Sequence, residues 1–342
     1  MDVPPPFSGL VGHARAREQV QRAHAAGRLV GSLLLVGPAG IGRTRFATEV
    51  ARLAIDPDGG AGAAGGRVLR GTHADFVQVV PAPDRVSIGI EQVRETLVEM
   101  AKAPVEGHAR VFVFEPADSL GEAAQNALLK GLEEPSARAL VILVAHTVDE
   151  LLTTIASRCQ VIELEPLSLD EVAEVLRAQG VAEAEVTRRA AWSGGRPGVA
   201  LAKDALELAD LAEETSRALA SGDAYRDPMS WVDRLAGFVD AGGSDAPSRR
   251  VRLVTVLRVL SHVLRDGLVA AQGAELPRLS GAAPETVAQL ARIPSRRLER
   301  ALERLTHAGE EVLTMINPTL VLEGLVLDVG AALSGNAGEV AR

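Results

Sequence analysis

Residues Leu33 to Thr44 read LLLVGPAGIGRT. Four apolar residues run into a glycine-rich turn that closes on a small hydroxyl residue. A short unbroken apolar run fits a strand buried on both faces of a parallel sheet. The chain continues RTRFATEVARLAI, with apolar residues at Phe46, Val50, Leu53 and Ala54, which is helical spacing. Strand, glycine turn and helix are the setting of a phosphate-binding loop. The pattern G-x-x-x-x-G-K-[ST] is met by Gly37, Gly42 and Thr44, with Gly40 inside the turn. The lysine is absent, and Arg43 stands in its place.

The candidate cofactor-binding residues are therefore Gly37, Gly40, Gly42, Arg43 and Thr44. Glycines let successive N–H groups converge on an anion, and the helix N-terminus adds partial positive charge. A hydroxyl such as that of Thr44 suits Mg²⁺. Arginine is longer, planar and forked, and does not replace the flexible point charge of a lysine. The shape of the loop is kept while its competence is in doubt. ATP or ADP with Mg²⁺ would bind weakly, and no cofactor is required.

Outward from the loop, strand and helix alternate to about residue 163. ADFVQVVP is strand-like, IEQVRETLVEMAKAP (90–104) is an amphipathic helix, and RVFVFEPADSL (110–120) is an apolar strand with an acidic end. EAAQNALLKGLEEP (122–135) is a helix, ALVILVAH (139–146) a buried strand, DELLTTIASRC a short helix and QVIELEPL a last strand. This alternation predicts a parallel sheet covered on both faces. The stretch DPDGGAGAAGGRVLRG (56–71) has no periodicity and reads as a flexible excursion. From Ser168 the strands stop. SLDE forms a capping box, Ser168 with Glu171, for a helix running to about Gln179 and ended by Gly180. Beyond residue 207 the pattern is almost entirely helical.

The 342 residues are 47% hydrophobic, enough for two or three domains with real cores. A net charge of -9 argues against a bulk-charge nucleic-acid binder. A single cysteine, Cys159, excludes an internal disulfide and a four-cysteine zinc site, and fits a reducing compartment. It reads as a packing residue rather than a reactive thiol. MDVPPPFSGL lacks the basic and apolar regions of a signal peptide, and no apolar run is long enough to cross a membrane. The expected location is the cytoplasm, with no membrane partner.

The strand end VFVFEPAD weighs on catalysis. An ATPase of this architecture ends this strand in Asp-Glu, for Mg²⁺ and for the attacking water. Here Glu115 takes the first place and Pro116 the second. Glu115 can approach a metal through water, but Pro116 accepts no proton, so a general base is lost. Asp118 is placed to cap the next helix.

LVGH (10–13), GPAGIGRT, IEQVRE (90–95), EPADSL (115–120), NALLKGLEEP (126–135), LLTTIASRCQ (151–160), GRPGVAL (195–201) and NPTLVLEGLVLDV (317–329) follow one another in a known order. The chain resembles the clamp-loader subunits of bacterial DNA polymerase III, within the AAA+ class, and is most similar to the delta-prime family. The likeness is strong over 1–205 and weaker beyond. It implies an α/β AAA+ P-loop core with a parallel sheet over 1–163, a small helical lid over 164–206 and an all-α collar over 207–342 for oligomerisation. The implied partners are delta and gamma/tau subunits in a pentamer, the sliding clamp, and primed DNA through the assembled complex. No intrinsic ATPase is expected; in the holoenzyme the activity would be that of a DNA-directed DNA polymerase. The four-cysteine zinc module common in the family is missing, so the expected metal set is empty.

In that family the arginine of SRC points at a neighbour's ATP, a place matched by Arg158, which becomes the candidate catalytic residue in trans. Against this stands a local ion pair, for instance with Glu163. Arg196 in GRPG matches a phosphate-sensing arginine of the lid or serves a turn, and His13 lies in the segment that frames the adenine. Arg249, Arg250, Arg252, Arg258 and Arg265, interleaved with apolar residues, read as a solvated and interface face rather than a DNA track. Aromatic residues are only 3%, so no base-stacking platform is visible. Two alternatives stay open: an active gamma/tau-like motor of the same loader, and a stand-alone P-loop relic acting as a scaffold.

Overall fold

A computed structural model describes residues 4–56, 61–83, 85–133, 138–241, 246–274, 276, 278–313 and 317–334. Contacts divide the chain into two compact units, Met1–Val175 with Arg196–Gly198, and Leu176–Gly195 with Val199–Arg342.

The first unit carries α1 (Ala14–Ala25), β1 (Gly31–Val36), α2 (Arg43–Ile55), α3 (Ala63–Leu69), β2 (Phe76–Val79), α4 (Ile90–Met100), β3 (Arg110–Phe114), α5 (Glu122–Glu133), β4 (Ala139–Ala145), α6 (Thr153–Ala156) and β5 (Gln160–Glu163). The five strands are all parallel in the order β2-β3-β4-β1-β5. β3 and β4 are buried along their whole length and β1 everywhere but at Gly31, while the edge strands β2 and β5 are partly exposed. This is why the central strands read as continuous apolar runs. Leu34, Val36, Phe112, Phe114, Val141 and Leu143 share one core cluster, each contributing about 1.5–3 kcal/mol through burial.

In register, Val36 lies beside Ala145 and Phe114 beside Leu143. The residues that follow β1, β3 and β4 therefore emerge together at the carboxyl ends of adjacent strands, where open parallel sheets hold ligands. Phe46, Val50, Leu53 and Ala54 of α2 are buried, as their spacing predicts.

α2 also buries a charged pair that its periodicity did not announce. Arg52 Nη1 donates to Glu49 Oε2 at 2.7 Å, both side chains almost wholly inside. Glu49 Oε2 also accepts from the Phe7 N–H at 3.0 Å, and Arg52 Nη2 donates to the Pro4 carbonyl at 2.5 Å. Two ions can remain in an apolar interior because each also has hydrogen bonds to satisfy it. Together they strap the N-terminal segment onto α2.

The expectation of a flexible excursion over 56–71 is corrected where the structure describes it: residues 57–60 lie outside the described residues, and α3 occupies Ala63–Leu69. Its first turn is tied to Asp56, whose Oδ2 accepts from the N–H groups of Gly62 (2.9 Å) and Gly65 (2.8 Å). Gly65, Gly66 and Val68 are buried. A cap supplied from six and nine residues away, and a packed face made of glycine, leave no hydrophobic period to read.

The capping box forms as predicted. Ser168 N–H donates to Glu171 Oε2 at 2.8 Å and Glu171 N–H to Ser168 Oγ at 3.2 Å, opening α7 (Leu169–Ala178). Gly180 follows with φ +77°, a left-handed backbone suited to glycine just past a helix end.

The remaining elements are α8 (Glu183–Trp192), α9 (Pro197–Ala200), α10 (Ala205–Ser221), α11 (Asp223–Arg226), α12 (Pro228–Asp240), α13 (Ala246–Ala271), α14 (Pro284–Leu290), α15 (Ser295–Leu313) and α16 (Pro318–Ser334). The second unit has its own core, with Trp192, Trp231, Leu253, Leu260, Leu298 and Leu325 among its members. The arginines of α13 largely serve this unit. Arg249 pairs with Asp240, Arg265 with Asp266, and Arg252 with Glu207 while lying 3.9 Å from the centre of the Phe238 ring. Among the described residues, no helix is long and apolar enough to cross a membrane.

Candidate functional site

Because β1 and β4 pair in parallel, Gly37 meets the residue after β4, and its N–H donates to the His146 carbonyl at 3.1 Å. Gly37 has no room for a side chain, since a Cβ there would lie 2.7 Å from the Leu164 carbonyl oxygen. Gly42 has φ +103°, a backbone that only glycine adopts easily, and it hands the chain to α2. Gly40 accepts from the N–H of Gly198 at 2.8 Å, so the segment carrying Arg196 lies against the loop. Arg196 itself is half-buried there.

Arg43, the first residue of α2, turns back into the loop. Its Nη1 donates to the carbonyls of Gly37 (2.8 Å) and Ala145 (2.5 Å), and its Nη2 to His146 Nε2 at 3.4 Å. Burial pulls the guanidinium below its ordinary pKa, while the charges of Asp118, Glu115 and Glu150 pull the other way. Thr44 donates its hydroxyl to Glu115 Oε1 at 2.5 Å. Pro116 follows Glu115, so β3 ends with no second carboxylate at that place.

The expected role of Asp118 as a helix cap is corrected. It lies in a short 3-10 turn, Ala117–Ser119, and hydrogen-bonds His146 Nδ1. The first turn of α5 is instead supported by the Gly121 carbonyl, which accepts from Ala124 and Gln125. A guanidinium only donates, so Nε2 of His146 is the acceptor and, in the neutral ring, Nδ1 carries the proton toward Asp118. Glu150 Oε2 stands 3.8 Å from the same Nδ1. Asp118, His146 and Glu150 each offer one atom within 4.8 Å of the others, the spacing of a metal triad. With Nδ1 protonated, however, the ring has no lone pair to give there.

His146 and Glu150 were not among the residues singled out by sequence, and Asp118 was read only as a cap. The signal for the histidine was available: it stands directly after a buried central strand, at the carboxyl end where ligand sites form.

His13 is fixed structurally. It sits in a left-handed backbone conformation, its Nε2 is 3.2 Å from the Ile41 carbonyl, and its ring meets Phe46 edge-on. Burial lowers its pKa, with the Ile41 bond and Glu171 only partly opposing this. It lines a cavity of about 420 Å³ with Arg15, Glu163, Glu165, Leu167 and Glu171.

Arg158 lies outside the loop network, between α6 and the edge strand β5. Its side chain is 37% exposed and pairs with Glu133 of α5 at 2.6 Å, not with Glu163, while Nη1 donates to the Thr154 carbonyl at 2.9 Å. The neighbouring Cys159 packs against the core, and burial pushes its thiol up to about 12. At pH 8 the native chain is expected to react with a thiol reagent at least about tenfold more slowly than the unfolded chain. Equal rates in the two states would show an accessible thiolate instead.

A parallel sheet of this order, with a glycine loop after β1 and an acidic end to β3, is the arrangement of a P-loop core. The family described as DNA polymerase III, delta subunit, matches residues 12–168. DNA polymerase III subunit delta' of Escherichia coli is 30% identical over 269 residues, 76% of this chain and 75% of that one. The chain belongs to the delta-prime family of DNA polymerase III subunits. The Pseudomonas aeruginosa subunit delta' is 36% identical over 147 residues, and that alignment spans less than half of the relative, 43%. A gamma-subunit-related protein of Thermotoga maritima superposes with a TM-score of 0.46 at 14% identity, covering 90% of this chain and 97% of that one.

Proposed function

We propose that this chain is a non-hydrolysing member of a DNA polymerase III clamp loader, one that presents Arg158 to ATP held by a neighbouring subunit. The three-part division into core, lid and collar goes with this reading. So do a cytoplasmic location, a pentamer with delta and gamma/tau subunits, and action on the sliding clamp and primed DNA through the assembled complex.

The observation that carries it is the separation of two arginines. Arg43 is spent inside the chain's own loop, while Arg158 is half-exposed at the sheet edge, held by the exposed Glu133 carboxylate and the Thr154 carbonyl of its own turn. A guanidinium so placed can stabilise charge building on a phosphoryl group supplied from outside. Pro116 leaves the chain's own loop without a general base, which argues against the motor reading.

Two measurements test this. The isolated chain is expected to show no ATP turnover, and it is expected to co-purify with loader subunits from its native cell. Turnover abolished by Gly42→Val, or purification without those subunits, would overturn the reading.

A further inference from the structure

A phosphate-binding loop works because its donors are free when the ligand arrives. Here three of them are already committed. The Gly37 N–H goes to the His146 carbonyl, the Thr44 hydroxyl to Glu115, and the Arg43 guanidinium to Gly37, Ala145 and His146 Nε2. Nucleotide and Mg²⁺ do not fit the loop as it stands, because the side chain that should meet the phosphates is bonded to the loop's own carbonyl.

Nor is the arginine merely resting there. The fork of a guanidinium is rigid, so the acceptors that receive it also fix its direction. Two of these are backbone carbonyls set by β1 and β4. The third is a side chain that is itself held: Asp118 accepts the hydrogen bond from the His146 Nδ1–H and so keeps Nε2 as the acceptor facing Arg43. Glu115, Asp118 and Glu150 place three carboxylates around one guanidinium. An incoming polyanion would therefore meet negative charge unless Arg43 turned toward it.

We propose that Arg43 is a plug for the glycine loop and that His146, oriented by Asp118, is the positioning residue that latches it, so that polyphosphate is excluded by an occupied loop. This rests on the non-hydrolysing reading above and deepens it. The latch makes a distinctive claim: the same Arg43 that closes the loop becomes a phosphate ligand once it is released.

The test uses the isolated full chain and inorganic tripolyphosphate, with binding followed by titration calorimetry and folding by thermal melting. The wild type is expected to show no saturable binding into the millimolar range. His146→Ala is expected to bind at least about tenfold more tightly, since Arg43 loses one acceptor and can swing toward the anion. The double variant Arg43→Ala/His146→Ala is expected to lose that gain. His146→Gln keeps an acceptor for Arg43 and a donor for Asp118, so it is expected to stay closed like the wild type; a purely steric role for the ring would not predict this.

Binding by the wild type equal to that of His146→Ala, no gain in His146→Ala, or a gain that survives removal of Arg43 would each overturn the plug. If His146→Ala does not fold, Asp118→Asn replaces it. A gain there supports the latch, and none overturns it. No partner is present in this assay, so its failure leaves the role of Arg158 untouched, and failure at Arg158 leaves the plug untouched.

Discussion

Replacing Arg158 with alanine is expected to lower the clamp- and DNA-stimulated ATPase of a reconstituted loader while hardly changing the melting of the isolated chain. The two halves of this result have separate causes. Arg158 and Glu133 are 37% and 48% exposed, and an ion pair that wet contributes roughly 0–1 kcal/mol. An arginine delivered to a transferring phosphoryl group changes the rate at that site by about 10³–10⁵. Only one of several ATP sites would lose its arginine, so the loss in the whole loader should be partial.

Arg158→Lys should not restore activity, because an ammonium cannot reproduce the planar fork. Glu133→Gln separates the two roles of the pair: it should leave the ATPase near the wild-type level, since the arginine remains to be delivered. If Arg158→Ala instead lowers the melting temperature substantially and no loader assembles, the arginine serves the fold and the assignment falls.

The largest effect on stability is expected at Asp75. This carboxylate is fully buried just ahead of β2 and accepts from the N–H groups of Val105 (2.7 Å), Glu106 (3.0 Å) and Gly107 (2.8 Å). Arg110 Nε stands 3.6 Å away. The loop leading into β3 is thus folded around one side chain. Asp75→Ala would leave three donors without their acceptor and remove one of the two carboxylates facing the nearly buried Arg110 guanidinium, which keeps Glu99, at a cost of about 3–5 kcal/mol.

The same site carries a pH dependence. Desolvation pushes the Asp75 carboxyl up, but the three backbone donors and His73 outweigh it and hold the group below its ordinary 3.8. A folded value below the unfolded one means that the contribution is complete above about 3.8 and is lost as pH falls through the folded value. Urea denaturation of the wild type and of Asp75→Ala at pH 7 and near pH 3 checks this. The gap between the two should narrow at the lower pH; a loss under about 1 kcal/mol at pH 7 would refute the role.

Much of the core unit could be read along the chain. LLLV, VFVF and LVILV are central strands because only a doubly covered sheet takes continuous apolar runs. The helix after the glycine loop followed from Phe46, Val50, Leu53 and Ala54. What escaped were contacts between residues distant in sequence. His146 meets Arg43 across 103 positions only because β4 lies beside β1. Asp75 reaches a loop some thirty residues away. Glu49 and Arg52 look like solvent-facing helix residues until the N-terminal strap covers them. The ion pair of Arg158 could be anticipated in kind, but its partner proved to be on α5, because packing rather than sequence distance selects neighbours.

The parallel pairing of β1 with β4 has a consequence for how this chain tolerates change. Val36 opposite Ala145 acts as a ruler: it sets the glycine turn level with His146, to the residue. Adding or deleting one residue inside either strand would turn every following side chain to the opposite face and carry the histidine out of reach of the arginine. Substitutions at the strand ends leave that ruler intact. Chemistry at this sheet can therefore be rewritten in its connecting turns, residue by residue, while the length of each central strand stays fixed.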